Sequence, residues 1–253
     1  MSHIHIPDGI IGSVWWITGY LIALGIIYFV LRKVEGEEIR RKVPMIGIVT
    51  AIMIIGMSVP LGIVPVHLTL AVLSGILIGP GFAFISVFVV NLMLALVAHG
   101  GITLVGLNTL IVGTEVLIGY YLFKTLSKKL GQMPSTVIAT SIALIISMTM
   151  MVTMVGSLAG LRNAMPDFHL HSHEEQLIEE GHEEAIENDE SPAAGAKYIF
   201  FTGWAAVIMV FVVGNLLESF GTAYIIRFFM KVRPDLIYEK KPKELDENLK
   251  IDQ

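Results

Sequence analysis

The sequence predicts an all-α polytopic membrane protein that crosses the bilayer seven times. Hydrophobic residues make up 54% of its 253 positions and charged residues only 15%, whereas a soluble globular protein carries about 25% charged residues. The apolar residues also collect in runs, several of them near the ~20 residues that a helix needs to cross about 30 Å of hydrocarbon. The seven runs occupy residues 10–31, 43–60, 67–79, 82–98, 104–124, 135–161 and 196–226.

The first run begins with two tryptophans. Trp15 and Trp16 are typical of the membrane–water boundary, where Trp side chains are enriched. No Lys or Arg precedes them, so we expect a first span here and no cleaved secretory leader.

The third and fourth runs are both short. Residues 67–98 are too many for one span and too few for two of ordinary length. The sequence Gly79-Pro80-Gly81 lies between the two runs, and this combination breaks helices strongly. We therefore expect two short helices, over 67–79 and 82–98, that are tilted or shielded by their neighbours.

The positions of the basic residues support seven spans. With the N-terminus outside, the inner segments are 32–42, 79–81, 124–134 and 227–253, and they hold 15 of the 17 Lys and Arg residues. A single span over 67–98 would turn the basic tail outward. Since basic residues are enriched in cytoplasmic loops, we expect the N-terminus outside and the C-terminus in the cytoplasm.

The seven spans form one membrane domain, residues 1–233. Two segments lie outside the predicted bilayer. Residues 234–253 form a charged cytoplasmic tail. Residues 162–194 form an outer loop with ten acidic residues. Its imidazoles suit divalent transition metals, and the alternative is a solvated loop that only raises the local cation concentration. The histidines of this loop are His169, His171, His173 and His182.

The N-terminus is a potential metal chelator. If Met1 is removed, the Ser2 amine and the amide and imidazole nitrogens of His3 form fused rings around one ion, and His5 or His67 closes a plane of four nitrogens. If Met1 stays, the first three residues supply four nitrogens alone. Such a plane suits Ni(II) or Cu(II), and binding should weaken as pH falls because the amine and amide must lose protons. The alternative is a solvated N-terminus.

Four further polar residues are placed near the same outer face. His67 begins the third predicted span, His99 ends the fourth, and Asn108 lies early in the fifth. Asp8 belongs to a Pro-Asp-Gly turn that could fold the N-terminus back onto the helix ends. A metal-binding imidazole usually donates its second N–H to such a neighbour. The alternatives are an interfacial histidine at 67 and a Gly-Gly turn with a polar cap after 99.

Two acidic residues lie inside apolar runs. Glu115 and Glu218 are costly there, and an acid within a span points to a functional site by default. Arg227 or a partner protein could compensate Glu218. A structural hydrogen bond between helices is the alternative for both acids.

Small residues recur every fourth position along the third run. Ala71, Gly75 and Gly79 form a stripe that lets two helices approach closely. Packing within this chain is the simpler interpretation, and docking to another membrane subunit is the alternative.

Several of these motifs together resemble a known family. They are His5-Ile6-Pro7-Asp8-Gly9, the placement of His67, Ala98-His99-Gly100-Gly101, Gly106-Leu107-Asn108-Thr109 and the tail Val232-Arg233-Pro234-Asp235-Leu236. The chain resembles the cobalt/nickel substrate-binding membrane component of energy-coupling-factor transporters, the CbiM/NikM type. The resemblance covers most of the chain outside 162–194 and the last dozen residues.

The resemblance implies a seven-helix component of the cell membrane whose N-terminus folds inward. There the amine, a near-terminal histidine and a second histidine bind Co(II) or Ni(II) as transported substrate. It also implies a transmembrane coupling subunit, cytoplasmic ATP-binding subunits and a small accessory membrane subunit as partners. The family typically places its histidine second, so the motif aligns with His5 while the distance from a processed amine favours His3.

The sequence offers little support for other functions. It has no GxxxxGK[ST] phosphate loop and no HExxH motif, so we expect neither an intrinsic ATPase nor a metalloenzyme. We also expect no bound cofactor and no nucleic-acid partner. An autonomous secondary carrier or channel for divalent cations is the main alternative. We would expect such a carrier to have several carboxylates along one path.

Overall fold

The computed structural model describes residues 11–34, 36–58, 67–97, 100–159 and 192–232. These residues form seven α-helices and no strand, which confirms the all-α prediction. The helices are α1 (Ser13–Lys33), α2 (Gly36–Ser58), α3 (Ala71–Ile78), α4 (Pro80–Leu96), α5 (Val105–Leu130), α6 (Gln132–Ala159) and α7 (Pro192–Val232).

Four stretches among the described residues are long and apolar enough to cross a membrane. They are Ser13–Lys33, Val105–Leu130, Gln132–Met154 and Ile208–Val232. The shorter apolar helices Lys42–Ser58 and Pro80–Leu96 accompany them. By length and composition these helices make a multi-pass membrane protein, whereas seven crossings and the outward N-terminus stay predictions.

The predicted break between the third and fourth runs is present, although it is a single residue wide. Helix α3 ends at Ile78, Gly79 adopts φ 85°, and Pro80 is the first residue of α4. The positive φ favours glycine, and Pro is well tolerated at the first helical position because its missing N–H is not needed there. All eight residues of α3 are buried, which confirms that its neighbours shield this helix.

Helix α5 is the centre of the bundle. It contacts α1, α3, α4 and α6, while α7 packs on α6 and also touches α3. The small-residue stripe on α3 faces α5, because a Cβ added to Gly75 would lie 3.1 Å from Val116 Cγ1. Packing within the chain therefore accounts for Ala71 and Gly75, both of which are buried.

Candidate functional site

The chain enters α3 through a short non-helical segment, residues 67–70. The expectation that His67 begins the third helix is wrong, since that helix begins four residues later at Ala71. The segment is fixed to α2 by the Leu68 N–H, which donates to Gly56 O over 3.0 Å. Leu70 has φ 52°, a left-handed conformation that costs roughly 1–2 kcal/mol for a residue with a Cβ. Other contacts must therefore hold this segment.

The carboxylate of Glu218 provides those contacts from α7. Its Oε1 accepts the backbone N–H of Thr69 at 3.0 Å and that of Leu70 at 2.9 Å. The first N–H groups of a helix have no partner within the helix, and the helix dipole favours a negative charge beside them. Glu218 thus satisfies the two N–H groups that immediately precede α3, and its negative charge lies beside the N-terminus of that helix.

Thr69 joins this carboxylate to that of Glu115 on α5. The Thr69 hydroxyl lies 2.7 Å from Glu115 Oε1 and also contacts Glu218 Oε1. A hydroxyl has one proton, so it can donate to only one of the two carboxyl groups at a time. Glu115, Glu218 and Thr69 are all fully buried.

The two intramembrane acids are therefore partners in one cluster. Hydrogen bonds between helices, and not an ion pair with Arg227, account for the contacts of Glu218 in the described residues. The sequence pattern suggested separate roles for the two acids and did not indicate Thr69. The available signal was a hydroxyl residue between His67 and the largely apolar run that forms α3.

The Gly106-to-Thr109 stretch of α5 makes close contacts with two other helices. A Cβ on Gly106 would lie 2.5 Å from the backbone nitrogen of Tyr20, so α1 and α5 meet backbone to backbone here. The Asn91 amide on α4 donates to the Thr109 hydroxyl at 3.2 Å. Asn108, between these contacts, is buried with 5% exposure. The motif therefore brings α1, α4 and α5 together at the start of α5.

The chain that follows the N-terminal motif is anchored at the same end of the bundle. Ile11 is buried and packs in a cluster with Leu104, Leu107, Ile111 and Met151. These residues lie at the start of α5 and near the end of α6. Ile11, the first described residue, is therefore fixed to the bundle at this point.

The structure describes two of the predicted metal-site residues. His67 is half-buried in the segment before α3, and Asn108 is buried in the first turn of α5. The described residues contain no cluster of three or more His, Asp or Glu side chains that could hold a metal ion. The remaining predicted site residues lie outside the described part of the chain: Ser2, His3, His5, Asp8, His99, His169, His171, His173 and His182.

Comparison with known proteins gives a consistent family. The model of the cobalt uptake substrate-specific transmembrane region, CbiM, matches residues 5–236. A protein of Methanocaldococcus jannaschii, provisionally named a metal transport protein, is 29% identical over 244 residues, which cover 94% of this chain and 96% of that one. A Haemophilus influenzae protein with the same provisional name is 27% identical over 125 residues, covering 48% of this chain and 58% of its own.

Solved structures share the fold. The crystal structure of a truncated transition metal transporter superposes with a TM-score of 0.64 at 18% identity and covers 90% of this chain and 99% of that one. A second transition metal transporter structure gives the same score and identity, with 93% of its chain covered. The family model spans nearly the whole bundle, including the His67 segment and the buried carboxyl pair. The chain therefore belongs to the CbiM family of cobalt-uptake substrate-specific transmembrane regions.

Proposed function

We propose that this chain captures Co(II) or Ni(II) from outside the cell and is the substrate-binding subunit of an ATP-driven importer. The ion is held by the N-terminal amine, the amide and imidazole of a near-terminal histidine, and His67. The burial of Ile11 carries this proposal, because it fixes the chain that follows the N-terminal motif to the start of α5, the helix that also bonds the His67 segment through Glu115.

The tether is short enough to make the contact. Ile11 shares a buried cluster with Leu104, Leu107 and Ile111, and Thr69 bonds Glu115 farther along the same helix. At 1.5 Å per residue, Glu115 lies about 6 to 17 Å beyond these cluster residues. Ten extended residues span up to about 33 Å. A terminus anchored at Ile11 can therefore fold back to His67 in either register, with His3 or with His5 as the terminal imidazole.

The third crossing in this proposal is partly unwound. Residues 67–70 can cover at most about 13 Å, and less here because Leu70 is left-handed, while the eight residues of α3 add about 12 Å. The two together remain somewhat shorter than the hydrocarbon thickness of about 30 Å. Non-helical backbone is tolerated at membrane depth only where protein surrounds it, and α3 is entirely buried.

The N-terminus lies outside and the C-terminus inside in this proposal. The natural chain has no cysteine, so single cysteines report sidedness without background. We expect Ser172→Cys, but not Lys250→Cys, to react with an impermeant maleimide on intact cells. After permeabilisation both should react. Labelling of Lys250→Cys in intact cells would show that the C-terminus lies outside and would contradict the proposed topology.

In this proposal, other chains hydrolyse ATP and couple its hydrolysis to transport of the ion. The partners are a transmembrane coupling subunit, ATP-binding subunits and a small accessory membrane subunit. We expect the chain alone in vesicles to bind metal without accumulating it, and accumulation to require ATP and the partners. Gradient-driven uptake by the chain alone would favour the autonomous carrier.

Metal analysis of the purified chain tests the binding site. After N-terminal sequencing has identified the first residue, titration with Ni(II) and Co(II) should give about one ion per chain. Alanine at His67 should weaken binding, and alanine at His3 or His5 identifies the register. Binding that none of these three histidines affects would contradict the proposed site.

A further inference from the structure

We propose that Glu218 is a positioning residue for the metal site, and that it acts through Thr69 and Leu70 on His67. This inference rests on the proposed function, because it takes His67 as a metal ligand. The buried carboxylate of α7 fixes the backbone of the segment that carries the imidazole, although it is not itself a ligand.

The hydrogen bonds of Glu218 fall on two consecutive residues. Its Oε1 accepts the N–H groups of Thr69 and Leu70 and contacts the Thr69 hydroxyl. Two adjacent N–H groups held by one oxygen define both the position and the rotation of the backbone. His67 precedes Thr69 by only two residues. The position and orientation of the backbone at Thr69 and Leu70 therefore largely determine where the His67 side chain lies.

The rest of the segment is held from two other helices. The Leu68 N–H bonds Gly56 O on α2, and the Thr69 hydroxyl contacts Glu115 on α5. The segment is thus fixed to α2, α5 and α7 within three residues. This arrangement holds a non-helical segment in place without a regular helix around it.

An acid is chemically suited to this position, and an apolar side chain is not. Helix α3 has only eight residues, and so short a helix is marginal without stabilisation of its ends. The N–H groups of Thr69 and Leu70, just before it, would be buried without their partner if Glu218 were apolar, which is costly in an apolar environment. A buried acid within a span is itself costly, so its presence here is explained by the donors that it satisfies.

The same helix contains a natural control. Ser219 follows Glu218 directly and is also fully buried, but its hydroxyl bonds Ser141 of α6 at 2.8 Å and Asn215 at 3.3 Å. Within the described part of the chain, these hydrogen bonds join α7 to α6 and to itself, and none reaches residues 67–70. Replacing Ser219 therefore perturbs the buried polar part of α7 and leaves the His67 segment alone.

A double-mutant cycle tests the proposal. Ni(II) affinity is measured for the natural chain, Glu218→Ala, His67→Ala and the double variant. Loss of a residue that orients a ligand typically weakens metal binding about 10- to 100-fold, and we expect this for Glu218→Ala. Once His67 is absent, Glu218→Ala should cost no further affinity. Ser219→Ala should leave the affinity unchanged.

The visible absorption of the bound Ni(II) gives a second readout. If the His67 imidazole is displaced, water takes its place on the ion, and water is a weaker ligand than imidazole. Glu218→Ala should therefore move the Ni(II) absorption to longer wavelength, and His67→Ala should do the same. Thr69→Val should act in the same direction, and Thr69→Ser, which keeps the hydroxyl, should restore the natural spectrum. If Glu218→Ala does not fold, Thr69→Val and Thr69→Ser complete the same cycle with His67→Ala.

The outcomes separate this inference from the proposed function. If the natural chain does not bind Ni(II) or Co(II), or if His67→Ala binds as well as the natural chain, the proposed site is wrong. If His67→Ala weakens binding while Glu218→Ala does not, or if the two effects simply multiply, the site stands and the positioning role of Glu218 is overturned.

Discussion

Helices α1 and α5 differ in a way that hydropathy alone would not predict. Helix α1 contains no acidic or amide residue, and yet Gly19 and Ala23 are its only buried residues. Helix α5 contains Asn108, Thr109 and Glu115, and it buries all three along with nine other residues. The helix with the polar side chains is the inner one, and the more uniformly apolar helix is the outer one.

The membrane explains this difference. Lipid tails are as apolar as leucine, so an apolar face gains little by turning inward. Polar side chains do gain, because the bilayer core offers no water to hydrogen-bond them. Small residues then determine where helices approach closely. Gly106 on α5 and Gly19 on α1 make such an approach, with a Gly106 Cβ position only 2.7 Å from Gly19 C.

The largest expected effect is at this crossing. Gly106→Ala would place a Cβ against the backbone of Tyr20 and Gly19, and backbone cannot move aside as a flexible side chain can. Overpacking costs about 1–3 kcal/mol and occasionally more, and we expect the upper end here. Thermal unfolding in detergent measures it.

A glycine on the outer helix provides the control for that variant. Among the described residues, no atom beyond the neighbouring backbone of α1 itself lies within 4 Å of a Cβ added at Gly25. Gly25→Ala should therefore leave the stability unchanged or raise it by up to about 1 kcal/mol, through the helix propensity of alanine. Equal destabilisation by both variants would refute the backbone contact between α1 and α5.

A smaller difference in stability is expected from leucine substitutions on the two helices, because their leucine side chains differ in burial. Leu107 on α5 is 4% exposed, whereas Leu21 on α1 is 67% exposed. We expect Leu107→Ala to lower the free energy of unfolding by about 2 kcal/mol or more, and Leu21→Ala to change it by less than about 0.5 kcal/mol. A comparable loss at Leu21 would mean that α1 is packed against protein on the face assigned to lipid.

The smallest expected effect concerns the polar contact between α4 and α5. Asn91→Ala removes the donor to the Thr109 hydroxyl, which is buried. Hydrogen bonds between membrane helices average about 0.6 kcal/mol in double-mutant cycles, so we expect a loss of that order. In a Thr109→Val background, Asn91→Ala should cost less. An undiminished cost there would show that Asn91 acts through packing alone.

The sequence predicted the helices and the break after Ile78 because both depend on local signals, namely apolar runs and a Gly-Pro pair. It did not predict the non-helical backbone at residues 67–70. Leucine and threonine there read as a continuation of the span, and a carboxylate 148 residues away at Glu218 holds Leu70 in place. Long-range hydrogen bonds of this kind leave no local pattern in one sequence.

The candidate site was predicted only in part for the same reason. His67 and Asn108 were identified from their residue types. His67 lies in the segment before α3, and Asn108 lies in the first turn of α5. The cluster of Thr69, Glu115 and Glu218 was not identified, because its members come from the non-helical segment before α3 and from two distant helices, α5 and α7. Each acid alone suggested a separate role.

One measurement tests the central claim that the free N-terminal amine helps to hold the ion. Three alanines inserted between Met1 and Ser2 move the amine away from every histidine and change no other side chain, and the same three alanines after Gln253 provide the control. Loss of a residue that only orients a ligand typically weakens metal binding about 10- to 100-fold. Because the amine is itself a ligand in this account, we predict a larger fall in Ni(II) affinity, while the control binds normally. Unchanged affinity after the N-terminal insertion would contradict the account.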